Sequence, residues 1–330
     1  MKKILQIIIA IVTILSLPQA HAEDNMPLKL AAKITLPKVR GRIDHMAVDL
    51  KNDRLLIACA GNNTLEVVDL RAGKHLYSVA GFKKPQGVVC VSEYNKIYVT
   101  NGGNGECDIL DGDSLKLING IPLSDNADSI RYEPSGKLIY VGYGKGAIGI
   151  IDPSTDKLIS RFSIDGHPES FQVESSGNRI YVNVPEAGNI SVINKARGGI
   201  VDRWPLPNLK GNFSMALDEA GYRAFVGCGE APTLVVFNTK AGEYVAKMKI
   251  DKDADDIYYD QARKRIYISC GSGFIDCFSS DGADHYTNIA KIKTPVGSRT
   301  SLFVPEQNRF YVAVPSHGKQ PSEVWVYDAQ

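Results

Sequence analysis

The sequence predicts an all-β fold, a seven-bladed β-propeller of four-stranded antiparallel blades. Three observations predict it. A short motif, fullest as Lys96-Ile97-Tyr98-Val99-Thr100-Asn101, occurs in seven versions. Anchored at Leu56, Tyr98, Tyr140, Tyr181, Phe225, Tyr267 and Tyr311, the versions are spaced by 42, 42, 41, 44, 42 and 44 residues. Short β-rich units at a period in the low forties mark one blade per repeat. Finally, the last unit stops one strand short, and a spare strand stands near the start of the chain.

The first residues read as an export signal rather than as part of the fold. Lys2 and Lys3 precede an apolar run from Ile4 to Leu17, and Ala20-His21-Ala22 has the small-x-small cleavage pattern. The run is 14 residues long, short of the roughly 20 that span a bilayer. Cleavage after residue 22 is expected, giving a periodic mature chain of residues 23–330 in the periplasm or secreted. No later stretch is apolar enough to span a membrane. Removing two lysines takes the formal charge from +1 to 36 − 37 = −1, and no basic block remains, so nucleic acid is not an expected partner. With no linker to divide it, the mature chain reads as one domain, expected to be a monomer.

Each repeat reads as three strands and a fourth. In the second, Gly87-Val88-Val89-Cys90-Val91 is the first strand and Ile97-Tyr98-Val99-Thr100 the second. Cys107-Asp108-Ile109-Leu110-Asp111 follows as the third, and Leu115-Lys116-Leu117-Ile118 as the fourth. Val, Ile and Tyr fill the strands while Gly, Asn, Asp and Pro punctuate them. A turn-closing Asp or Asn follows the third strand at Asp69, Asp111, Asp152, Asn194, Asn238 and Asp328; such side chains bond the turn backbone. The seventh unit ends at its third strand, Glu323 to Asp328, so the segment from Lys29 to Pro37 is expected to pair beside Trp325 and close the ring. The six cysteines fall mostly on strand positions facing neighbouring blades, which argues for packed thiols over disulfides. No Cys-x-x-Cys pair is present.

Tyr98-Val99-Thr100-Asn101 spells a known repeat signature, and with the pattern around it the mature chain resembles the YVTN-repeat (YncE-like) seven-bladed β-propeller family of exported proteins. The resemblance implies the architecture; it carries no shared catalytic motif.

The start of each first strand lines the mouth of a propeller's central channel. Alignment on the anchors places Asp44, Gln86, Asp128, Glu169, Phe213, Asp255 and Arg299 there, one per blade. The next position adds His45 and Asp256, and Arg42 and His167 lie two residues before the ring in their own blades. Converging carboxylates must be neutralised by protons, by Arg42 and Arg299, or by a cation. Oxygen donors without thiolates suit a hard divalent ion, for which Asp44, Glu169 and Asp255 are the candidate ligands. No phosphate loop, Gly-x-Ser-x-Gly or His-Glu-x-x-His motif appears. The expected function is a non-enzymatic binding or interaction protein that recognises a small ligand or a protein partner at this face, with no cofactor beyond a divalent cation. The alternative is a metal-dependent hydrolase resembling propeller lactonases. There the ion on Asp44, Glu169 and Asp255 would polarise a carbonyl, and Arg299 would hold an anionic substrate group.

Overall fold

Strands rich in Val, Ile and Tyr need cover on both faces, and stacking small sheets around an axis supplies it. The computed structural model describes residues 26–282 and 284–330. The expected export signal and its cleavage point lie outside the described residues. Among the described residues, 28 strands form seven antiparallel sheets of four. Blade 1 comprises Met46–Asp49, Arg54–Cys59, Thr64–Asp69 and Lys74–Ala80, innermost first, and blades 2 to 6 repeat that order as far as Lys293.

Blade 7 is assembled from both ends of the chain. Ser301–Val304, Arg309–Val314 and Ser322–Ala329 supply its inner three strands, and Leu28–Leu36 its outermost. Lys33 stands opposite Trp325 in the antiparallel register, and its ammonium lies 3.8 Å from the centre of the indole ring. Leu28, Ile34 and Leu36 are buried while the residues between are exposed, the pattern of an edge strand with one packed face. The ring closure expected from the sequence is present, and it covers the edge that Ser322–Ala329 would otherwise leave open.

Burial grades from the middle of each blade outward. The second strands are buried almost throughout, as in Lys96–Asn101 and Arg265–Cys270. The fourth strands, such as Lys74–Ala80, are mostly exposed. The anchor tyrosines Tyr98, Tyr181 and Tyr267 are fully buried, and each hydroxyl finds a carboxylate: Asp156 at 2.8 Å, Glu174 at 2.6 Å and Asp260 at 3.3 Å. A tyrosine therefore gives the blade stack an aromatic body and a polar tip that stays bonded. All six cysteines are free, and burial pushes their thiols up, which makes them packing groups rather than nucleophiles.

One strand boundary differs from the sequence reading. The fourth strand of blade 2 runs Leu117–Pro122 instead of starting at Leu115. Asp111 accepts hydrogen bonds from Ser114 N and Oγ, and Leu115 takes a left-handed φ of 55° with its N–H on Asp111 O. The turn thus consumes two residues that apolar patterning assigned to the strand.

Candidate ligand-binding site at the channel mouth

Six of the seven ring residues owe their position to an extra residue in the inner strand, while Arg299 sits in the loop before its strand with its N–H on Gly297 O at 3.0 Å. In blade 1, Asp44 N donates to Ala58 O at 2.7 Å while Ala58 N donates to His45 O at 3.0 Å, so two residues face one. Asp128 and Ser129 share Gly142 in the same way, and Glu169 and Ser170 share Asn183. In blades 5 and 6 the register breaks across Phe213 and Asp255, and in blade 2 across Gln86 and Gly87. Such bulges kink a strand and redirect a side chain. Bonds between blades hold the kinked segments: His45 N donates to Gln86 O at 3.1 Å, and Ser170 N to Phe213 O at 3.3 Å. Thr100 Oγ donates to Asp128 O at 2.5 Å. At Gly87 an added Cβ would sit 2.5 Å from Asp128 O, so blade 2 carries glycine where its neighbours carry Ser, His, Asp or Thr.

The side chains then meet across blades. Arg42 Nε lies 2.8 Å from Asp44 Oδ2, an ion pair too poorly aligned to be a hydrogen bond; this buried oxygen has no other partner. His45 bridges two blades, with Nε2 3.8 Å from Asp44 and Nδ1 3.8 Å from Asp256. Arg299 reaches Asp253 at 2.9 Å and Asp255 at 3.4 Å. His167 Nδ1 donates to Gly144 O at 2.6 Å, while Nε2 stands 3.0 Å from the Asn126 amide and 3.9 Å from Asp128.

These groups share one electrostatic field. Burial, then the Asp128 charge, pushes the Asp44 carboxyl up to about 7 against the pull of Arg42. Burial raises Asp255 as well, opposed by Arg299 and reinforced by Asp44. Glu169 rises through burial and Asp128, opposed by His167. Burial takes Asp256 up to about 6, with His45 pulling it back. Asp128 goes the other way: its own burial is outweighed by the His167 bond and the charges of His45, His167 and Arg42. Burial alone would lower His167, but Asp128, the Gly144 carbonyl and Glu169 raise it to about 9. Asp44, Asp128, Glu169 and Asp255, up to 211 residues apart (255 − 44) in the chain, feel one another as neighbours.

Not every ring residue joins this cluster. The Gln86 amide is buried and turned onto Gly102, its oxygen unpaired. Phe213 is 42% exposed, with its ring over Gly211 and Gly229. Asp253 and Asn126 belong to the cluster although alignment of ring positions did not single them out. Both lie two residues before their ring residue, the offset of Arg42 and His167, and that shared offset was the available signal. Among the described residues, the ligand atoms that lie within 4.8 Å of one another are those of Asp44, His45 and Asp128. The expected trio of Asp44, Glu169 and Asp255 shares only Asp44 with that group.

No protein-family model matches the chain, and no curated protein matches it in sequence. Among solved structures, Kuenenia stuttgartiensis hydrazine synthase matches with a TM-score of 0.74 at 18% identity, covering 90% of this chain and 96% of that one. This chain is a seven-bladed β-propeller. At that identity the likeness is one of fold. The propeller is a rigid scaffold suited to binding or interaction, with bulged segments and loops presenting side chains at the mouth. No helix among the described residues is long and apolar enough to cross a membrane.

Proposed function

We propose that this propeller is an exported binding protein whose acidic channel mouth takes a positively charged group, carried by a small ligand or a partner protein. The observation that carries this reading is Asp44. Its buried carboxyl is held up to about 7 by burial and Asp128, and one oxygen lacks an aligned hydrogen bond. Arg42, Arg299 and protonated His167 do not match the charge of Asp44, Asp128, Glu169, Asp255 and Asp256. A cation would relieve the surplus where a proton now does. The Tyr98-Val99-Thr100-Asn101 signature and the export signal fit the same reading. Removal of residues 1–22, expected to leave Glu23 first, is checked by the intact mass of the protein recovered outside the cytoplasm.

A divalent ion is the second form of this reading, favoured by the spacing of Asp44, His45 and Asp128. Two carboxylates and an imidazole suit a metal that accepts nitrogen as well as oxygen. The lactonase-like alternative rests on that ion alone.

Calorimetric titration of the mature protein with calcium, zinc and butane-1,4-diamine separates these readings. Saturable binding of at least one cation is expected, tightening as pH rises through about 7 because binding displaces the Asp44 proton. Glu169→Gln with Asp255→Asn is expected to weaken it at least about tenfold, since two charges at roughly 8 Å each contribute on the order of 2 kcal/mol at an effective dielectric near 20. No binding of any probe, or equal affinity in the double variant, would remove the mouth as the site. Lactone hydrolysis that requires a divalent ion and is lost in that variant would move the reading to the hydrolase.

A further inference from the structure

Below the acidic ring the channel changes character. A cavity of about 500 Å³ runs from His45 and Asp256 to the opposite face, where Leu50 and Glu306 border it. Inner strands of all seven blades line it. Polar and apolar groups share its walls about equally, and Met46, Val48, Val89, Met215, Leu217 and Leu302 are among those that supply the apolar part. That volume lies in the range of small-molecule pockets, roughly 300–1,000 Å³.

One layer of the repeat decides what such a pocket would take. Three residues past each ring position stand Ala47, Val89, Arg131, Gln172, Ala216, Tyr258 and Leu302. Arg131 is the sole charged group in that layer, and all seven residues line the cavity. The polar neighbours are already committed: Gln172 Nε2 donates to Met215 O at 2.8 Å, and the Tyr258 hydroxyl to Ser301 O at 2.9 Å. Arg131 is not. One N–H of the guanidinium goes to the carbonyl of Ile130 at 2.8 Å, and its carbon lies 5.7 Å from the Phe171 ring centre. Among the described residues no carboxylate lies within 4.0 Å of it, although its charge is felt by Asp256 and pulls that carboxyl's pKa down. A guanidinium has five N–H donors in a planar fork matched to a carboxylate. A cation–π contact with the Phe171 ring favours this place for the fork, and the small Ala47 and Ala216 leave room in the same layer.

We infer that this lower channel, which opens onto the acidic mouth at His45 and Asp256, is a second binding site for a monocarboxylate with an apolar body. The carboxylate sits on Arg131 and the body lies along Met46, Val48, Met215 and Leu302. Asp256 above and Glu306 at the opening surround the single cation with negative charge, which favours a monoanion over a phosphate. The four residues of Met46–Asp49 give the channel a depth of ~13 Å at about 3.3 Å per residue, enough for a medium-length chain.

The test uses the mature protein, methyl-labelled at methionine, with octanoate as probe and acetate and octylammonium as controls. Met46 and Met215 line the cavity and Met248 does not, so the expected result is saturable movement of the first two methyl signals by octanoate alone. Arg131→Met is expected to weaken octanoate at least tenfold, while Arg131→Lys retains it within severalfold. Arg131→Lys, which keeps the positive charge that acts on Asp256, should leave cation binding at the mouth unchanged, and Glu169→Gln with Asp255→Asn should leave octanoate binding in place. Unmoved Met46 and Met215 signals in the unaltered protein at roughly 10 mM octanoate, a concentration that would detect even millimolar affinity, would overturn the proposal without any variant having to fold. Equal response to octylammonium, or an Arg131→Met protein that binds octanoate undiminished, would overturn it too.

Discussion

Asp44 keeps a proton into the neutral range, and that has a consequence for stability. Its carboxyl rises from an ordinary 3.8 to about 7, so between those values the folded state holds a proton that the unfolded chain has lost. Stability therefore falls as pH rises through that window. Asp256, pushed up to about 6 by burial, acts in the same direction. His167 acts in the next window: raised from 6.5 to about 9, it contributes fully below 6.5 and loses its contribution as pH climbs through about 9. Urea midpoints measured across mildly acid to mildly alkaline pH are thus expected to decline, and Asp44→Asn to flatten the decline below neutrality. A midpoint that climbs with pH would contradict the assignment. The ring positions were legible in the sequence because the anchor tyrosines fix their offset. The orientations of Gln86 and Phe213 were not, because at a bulge the side chain no longer follows the strand's alternation.

The second strand of each blade is the element that the sequence displays best, since its residues are buried on both faces. Its anchor tyrosines allow a graded experiment. Tyr98→Phe removes a 2.8 Å bond to Asp156 and is expected to cost about 1 kcal/mol in urea unfolding. Tyr140 has no hydrogen-bonded hydroxyl partner among the described residues, so Tyr140→Phe is expected to cost less. Equal losses would mean that the hydroxyls do not tie the blades. The inner strands were harder to read. Each bulge adds a single residue, and nothing in composition marks it; only Gly87, forced by the approach of Asp128 O, leaves a trace. The late start of the fourth strand in blade 2 hid for a related reason: Leu115 looks like a strand residue but closes a turn on Asp111.

For the molecule as a whole, closure is the organising event, because it joins segments about 290 residues apart in sequence through the pairing of Lys33 with Trp325. Deleting residues 23–36 would bare the Ser322–Ala329 edge and the face that Leu28, Ile34 and Leu36 cover. The truncated protein is expected to unfold at a markedly lower urea concentration and to aggregate. A truncated chain as stable as the full one would show that the ring does not need its N-terminal strand. Closure was readable from strand counting alone, and it is what brings residues of blades 1, 3, 4 and 6 into one mouth. The channel's lower half stayed hidden at the sequence level, since Arg131 acquires meaning only when six uncharged counterparts surround it.

That a single field joins these blades is tested most directly by carboxyl-carbon NMR titration of the unaltered protein beside Asp128→Asn. The account predicts that Asp44 titrates near 7 in the first and at least about one unit lower in the second, as the loss of a neighbouring negative charge requires. An Asp44 that titrates near its ordinary value in both, or that ignores the change at Asp128, would contradict it.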